Sequence, residues 1–138
     1  MPSEHTLTRR VRFYETAVGG AVHFSWFFRY MEDAEHALWR EAGLSIHPAR
    51  SDIAWPRVST AFDYHRPLRF EQEFEVNIRI TEIAKRTISY ICEISQDGQP
   101  IATGRLQIAC VRKLAGGAMK STEIPADIAQ RFSTHESA

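Results

Sequence analysis

An α+β fold, one long helix covered by an antiparallel sheet, is what this sequence predicts, and three observations carry that expectation. Apolar residues recur at three- and four-residue steps over one long stretch, from Val22 to Ala42. Several later segments alternate apolar and polar residues with the period of two of a half-buried strand. Between two of them stands Asp97-Gly98, a pair suited to the positive φ angles of a tight hairpin turn. With 138 residues, 43% hydrophobic and 25% charged, the chain is expected to form one domain over 1–138, because a chain this long buries roughly two thirds of its unfolded surface without disulfides or a structural metal.

Each element follows in order. Leu7, Arg9, Val11 and Phe13 alternate with Arg10, Arg12 and Tyr14, which reads as a strand over 7–16 that Gly19 and Gly20 end. Phe24, Phe27, Phe28, Met31, Ala34, Leu38 and Ala42 then form one apolar stripe, with Arg29, Asp33, His36 and Arg40 elsewhere on the wheel. Gly43 closes that helix. Residues 44–56, with Pro48 and Pro56, read as a loop or partial helix crossing the surface. A short strand over 58–65 is stopped by Pro67, and 74–83 sets Phe74, Val76, Ile78 and Ile80 against Glu75, Asn77, Arg79 and Thr81, giving that strand one wet face. Strands at 86–95 and 101–113 flank the Asp97-Gly98 turn. From about 114 the chain reads as a short flexible C-terminal segment containing Gly116 and Gly117, with a short helix over 124–132 that has Pro125 near its start. An apolar helix stripe this wide must be covered, and the economical solution is a five-stranded antiparallel sheet wrapped around it. Such a sheet has open edges, which pair across a dimer.

Charge and cysteine usage exclude several function classes. Seventeen Lys and Arg balance seventeen Asp and Glu, so no long-range field draws the chain to nucleic acid or to an anionic membrane surface. Cys92 and Cys110 are far apart, sit in apolar segments and lack close Cys or His neighbours at zinc spacing, so they read as reduced core residues. Arg9, Arg10 and Arg12 interrupt the N-terminal stretch, which has no apolar run of signal-peptide length. The expected compartment is the cytoplasm.

Three blocks of residues, in order and spread over nearly the whole chain, carry a resemblance to a known family. The first is Val11, Phe13, Glu15, Thr16, Gly20, Val22, His23 and Phe24, followed by Glu32, Ala34 and Glu35. The second is Tyr64, Pro67, Arg69, Phe70, Glu73, Phe74 and Val76; the third is Asp97, Gly98, Ile101, Ala102 and Gly104. Together they resemble the hot-dog-fold acyl-CoA thioesterases of the 4-hydroxybenzoyl-CoA thioesterase type. The resemblance implies a long central helix wrapped by the sheet, a homodimer with a continuous sheet, assembly into a tetramer, and active sites between subunits. It also implies an acyl-CoA or acyl-carrier thioester as substrate, with no metal and no cofactor beyond the CoA of the substrate itself.

By that resemblance, the glycine turn at Gly20 lets the chain pass close to the substrate, and the backbone N–H of Phe24 at the helix start stabilises the oxyanion that develops on the thioester carbonyl. The sequence departs from the family at Ala17, which stands where the family aspartate acts as nucleophile or base. A related group places a catalytic glutamate seven residues after the second glycine, a position held here by Phe27, and the aspartate of hot-dog hydratases would fall at Val18. Hot-dog thioesterases of enediyne pathways resemble the Glu15-Thr16 to Val22 stretch and also lack the aspartate, relying on backbone donors and bound water.

Three side chains near Ala17 are candidates to compensate. Glu15 lies two residues before Ala17, so in an extended strand the two share a face and the carboxylate is placed to activate water; its alternative role is structural, capping or pairing. His23 sits at the glycine-to-helix junction, and an ordinary imidazole pKa of about 6.5 suits proton transfer near neutrality; its alternative is a packed ring. Ser25 has no readable triad around it and stands as an N-terminal helix residue on the substrate side. Tyr64, Arg66, Arg69, Lys85 and Arg86 are candidates for the CoA portion, whose phosphates favour cations. Trp26 or Tyr30 is expected to line the acyl pocket. Glu32 and His36 share a helix face but lack a third ligand, which favours a salt-bridged surface over a metal site. The rival to hydrolysis is a non-catalytic module that binds acyl thioesters and has lost the aspartate.

Overall fold

The computed structural model describes residues 1–134, so the last four positions of the expected domain lie outside the described residues. Its elements in chain order are β1 (Glu4–Arg10), α1 (Ser25–Glu41), β2 (Ile53–Ala54), β3 (Arg57–Tyr64), β4 (Glu73–Ile83), β5 (Thr87–Gln96), β6 (Gln99–Ala109), β7 (Val111–Lys113), β8 (Met119–Ser121) and α2 (Ala126–Ala129). Five strands form one antiparallel sheet in the order β1-β4-β5-β6-β3, and α1 packs on its apolar face. This is the expected hot-dog plan.

The strand faces follow the sequence alternation. In β4, Phe74, Val76, Ile78 and Ile80 are buried, while Asn77 and Arg79 bond to partners on the outer face. Ile88, Tyr90, Cys92 and Ile94 of β5 and Leu106 and Ile108 of β6 complete the inner face. The β5–β6 turn has φ of 50° at Asp97 and 76° at Gly98, both positive as the expected tight turn requires. At the end of α1, Gly43 has φ of 79°, its N–H donates to the Arg40 carbonyl at 3.0 Å, and the Leu44 N–H donates to the Trp39 carbonyl at 2.9 Å. That pair of bonds is the left-handed glycine stop.

Several boundaries differ from the sequence reading, each for a tertiary reason. The first strand ends at Arg10 rather than 16, because a 3-10 turn over Phe13–Glu15 takes over, closed by the Arg12 N–H donating to the Glu15 carboxylate at 2.8 Å. The helix starts at Ser25 rather than Val22, because Ala21 bridges to Arg69 and Val22 to Thr16. The expected surface loop contains β2, and the segment from 114 contains β8 and α2; β2, β7 and β8 form a second, three-stranded sheet. Trp39 holds these pieces to the core through ring contacts of 5.1 Å with Trp55 and with Phe132. No helix among the described residues is long and apolar enough to cross a membrane.

Among the described residues two charged groups are wholly buried, Glu15 and Glu35. Glu35 of α1 accepts from both guanidinium nitrogens of Arg57 at 2.5 and 3.0 Å, which ties the edge strand β3 to the helix. Glu32 adds a second carboxylate to Arg57 at 3.4 Å and also pairs with Arg29. Burial pushes the Glu35 carboxyl up, against the opposing pull of Arg57.

Gly104 of β6 faces Phe62 of β3 across the ladder, and a Cβ there would lie 2.6 Å from the ring. The ring also touches Phe27, Phe28 and Tyr64 at 5.1 to 6.0 Å between centroids, so it has little room to move. Gly104→Val is expected to destabilise by about 1–3 kcal/mol, the usual cost of overpacking, measured as a lower urea midpoint. Burial pushes the Cys92 thiol up to about 12, and only the thiolate is a good nucleophile. Cys92 should therefore stay unmodified by Ellman's reagent at pH 8 until the protein unfolds, as peptide mapping after labelling would show.

Candidate active site

The loop between β1 and α1 is built around Glu15. Its carboxylate accepts from the Arg12 N–H at 2.8 Å, the Tyr30 hydroxyl at 2.9 Å and Arg9 at 3.0 Å. Arg9 also bonds to Asp33 and lies over the Tyr30 ring at 5.0 Å. Burial and the neighbouring carboxylate push the Tyr30 hydroxyl up, so it stays a donor. The backbone of Glu15 takes part as well, its carbonyl accepting the His23 N–H at 2.9 Å.

From that anchor the chain makes the glycine turn. Ala17 and Ala21 pair through an N–H to carbonyl bond of 2.8 Å, and φ is 96° at Gly19 and 82° at Gly20, values that a residue with a Cβ adopts only with strain. Arg69 steadies the turn by donating to the Gly19 carbonyl at 3.1 Å. Beyond it, the N–H groups of Ser25, Trp26 and Phe27 are taken by His23 Nδ1, the His23 carbonyl and the Phe24 carbonyl. Among the described residues, no acceptor pairs with the Phe24 N–H. It is the one donor of the opening turn left for a ligand.

The Phe24 ring is 61% exposed and borders a cavity of about 350 Å³. Ala21, Val22, Phe27, Tyr64 and Leu68 supply apolar wall, and His65 and Arg66 sit at its polar side. Phe27 and Tyr64 meet edge to face at 5.1 Å, and the Tyr64 hydroxyl lies 3.4 Å from the Phe24 carbonyl. A mostly apolar hollow with a few polar groups is chemically suited to an apolar group joined to a polar one.

The sequence candidates divide accordingly. Phe24, Tyr64 and Arg66 meet at this cavity, with Gly20 in the turn beside it. Arg86 does not join them: its carbonyl accepts from Cys110 past the end of β6, whereas Tyr64 pairs with Ala102 near the start of that strand. Lys85 pairs with Glu123 at 3.1 Å. Tyr30 is not a pocket residue, because it is fully buried and spends its hydroxyl on Glu15; Trp26 packs between Tyr14 and Tyr30. The shared face expected for Glu15 and Ala17 is absent, since the segment is a 3-10 turn and not an extended strand: Glu15 is sealed inside while Ala17 is exposed. Ser25, which had no readable partner, lies 2.7 Å from His23 Nδ1 through its Oγ. Sequence reasoning missed the part played by Phe27 and Leu68 as cavity wall; both simply look like core residues in sequence.

A family model described as the thioesterase-like superfamily matches residues 11–132 of this chain. The chain belongs to that superfamily. A curated protein of Aquifex aeolicus, provisionally named an esterase, is 32% identical over 83 residues, a match that spans 59% of this chain and 65% of that protein. The 1,4-dihydroxy-2-naphthoyl-CoA hydrolase of Synechococcus elongatus is 23% identical over 112 residues, spanning 79% of this chain and 82% of the hydrolase. Among solved structures, the 4-hydroxybenzoyl CoA thioesterase from Pseudomonas sp. strain CBS-3 superposes with a TM-score of 0.82 at 17% identity, over 94% of this chain and 99% of that one. It shares the hot-dog fold with the superfamily member described above.

Glu15 takes three donors on two oxygens, whereas a glutamine would turn its NH2 toward at least one of them. Glu15→Gln is expected to cost about 3–5 kcal/mol, the range for breaking a buried ion pair, with urea unfolding followed by circular dichroism as the measurement. An unchanged midpoint would show that this carboxylate does not hold the loop.

Proposed function

We propose that the protein hydrolyses acyl thioesters carried on CoA or on a protein-bound pantetheine, of the 4-hydroxybenzoyl-CoA thioesterase type but with Ala17 in place of the family aspartate. The observation that carries this reading is the unpaired Phe24 N–H beside an apolar cavity. An acyl group in the cavity would bring its carbonyl oxygen to that N–H, and the charge that develops on attack would be stabilised by a donor already in place, often the largest contribution to acyl transfer. Arg66, at the polar side of the cavity, is assigned to the phosphate-bearing carrier. The superfamily match and the relatives named as CoA thioester hydrolases support the same reaction class.

Glu15 is assigned to scaffolding rather than to proton transfer, because its oxygens are occupied and closed to solvent. His23 is exposed and remains available. The open edge of β3, with Val58 and Tyr64 about half exposed, is assigned to pairing with a second copy, which would extend the sheet and border the site from the other side.

The absence of a carboxylate at Ala17 favours a second reading, a binder that holds acyl thioesters without cleaving them. One experiment separates the two: free-thiol release from aromatic, short-chain and long-chain acyl-CoAs, with the native chain and with Ala17→Asp. Hydrolysis predicts native turnover well above background for at least one acyl class. Release by Ala17→Asp alone would mean the cavity binds thioesters and the native chain does not turn them over.

A further inference from the structure

Resting on the hydrolysis reading, we infer that Ser25 is the nucleophile of this site, with His23 as its base, so that the reaction runs through an acyl-enzyme rather than by direct attack of water. Three observations converge at one helix turn. Ser25 Oγ lies 2.7 Å from His23 Nδ1, and both residues are exposed. The Ser25 backbone N–H also points at Nδ1, at 3.2 Å. A backbone N–H can only donate, so Nδ1 carries a lone pair in the neutral ring and the hydrogen sits on Nε2. The hydroxyl must then donate to Nδ1 too, which leaves the oxygen lone pairs of Ser25 free and its proton aimed at a base, the arrangement of an activated nucleophile.

The ring is held in that pose. It stacks on Phe24 at 4.5 Å with planes 30° apart, and the His23 N–H is fixed to the Glu15 carbonyl at 2.9 Å. The residue between base and nucleophile is Phe24, whose N–H is unpaired and which lines the cavity, with His23 and Ser25 flanking it in the chain just outside that lining. Nucleophile, base and oxyanion donor thus come from three consecutive residues, His23, Phe24 and Ser25.

The chemistry balances with water as the only co-reactant. Ser25 Oγ bonds to the thioester carbonyl carbon, its proton passes to Nδ1, and the carbonyl π pair moves onto oxygen beside the Phe24 N–H. Collapse breaks the C–S bond, and the leaving thiolate takes the proton from Nδ1 and departs as free thiol. Water then attacks the serine ester, giving one proton to Nδ1. The second collapse releases the carboxylic acid, and Ser25 Oγ takes that proton back.

The test compares the native chain with Ser25→Ala, Ser25→Asn and Ser25→Cys, using benzoyl-CoA and hexanoyl-CoA as probes, thiol release as the rate and intact mass after rapid acid quench as the covalent readout. Ser25→Asn keeps an acceptor favoured at helix starts without a hydroxyl or a carboxylate, so it separates loss of the nucleophile from loss of a helix-stabilising residue. The inference requires that Ala and Asn each lower thiol release by at least about a hundredfold, the scale at which losing a positioned catalytic group is felt, and that Cys restore thiol release and carry an acyl mass. A smaller loss in either the Ala or the Asn variant, or a Cys variant without the acyl mass, overturns it while leaving hydrolysis standing. No release by the native chain with any probe overturns the hydrolysis reading and this inference together.

Discussion

The Glu15 carboxylate has no solvent contact, and a carboxylate buried that deeply persists only when its oxygens are paired. Arg9 at the end of β1, the Arg12 N–H in the following turn and Tyr30 in the second turn of α1 supply that pairing. Three elements are thereby brought to one point, and the geometry downstream is a consequence. The Glu15 carbonyl then takes the N–H of His23, which sets the angle at which the chain enters α1. With the next three helix donors satisfied locally, the Phe24 N–H is the one left over.

Around that anchor the sheet does the bulk work of burial. The apolar stripe of α1 lies on the inner faces of β4, β5 and β6, and a small second sheet with α2 seals the far end through Trp39. At the cavity end the packing is aromatic, with Phe27, Phe62 and Tyr64 in mutual contact. Gly104 belongs to this arrangement, since the absence of a side chain there is what lets the Phe62 ring lie flat across the ladder. Phe27 and Tyr64 thus line the cavity while packed against this aromatic group.

Acyl transfer needs a polarised carbonyl, a nucleophile and a place for the proton. The resemblance would place the last two on a carboxylate where Ala17 stands. In this chain Glu15, two residues earlier, is committed to the scaffold, so the proposed chemistry draws on groups exposed at the turn. Those groups are an imidazole and a hydroxyl in contact, flanking the free donor. The Phe24 donor owes its place to Glu15 and the glycine turn, not to the side chain at position 17.

Local information in the sequence was enough for the type and order of the main elements. The apolar period of α1, the alternation of β4, the Asp97-Gly98 turn and the Gly43 stop are each read from neighbouring residues, because helix and strand faces repeat every few positions and a turn is decided by its own φ angles. Phe24 and Tyr64 stand in the motif blocks and Arg66 was a candidate by its charge, and the three line one cavity. Tertiary structure alone decided the rest. Glu15 could be identified as scaffold only when Arg9 and Tyr30, the latter 15 positions away, closed over it, and Arg86 left the site because it directly precedes β5, opposite the end of β6, whereas Tyr64 pairs near the start of β6. His23 and Ser25 are two positions apart in sequence with Phe24 between them, so whether the ring turns toward the hydroxyl depends on how the glycine loop delivers the chain to the helix. Periodicity records which face is apolar; it carries no record of which polar groups will be closed in together, because that depends on distant segments meeting in space.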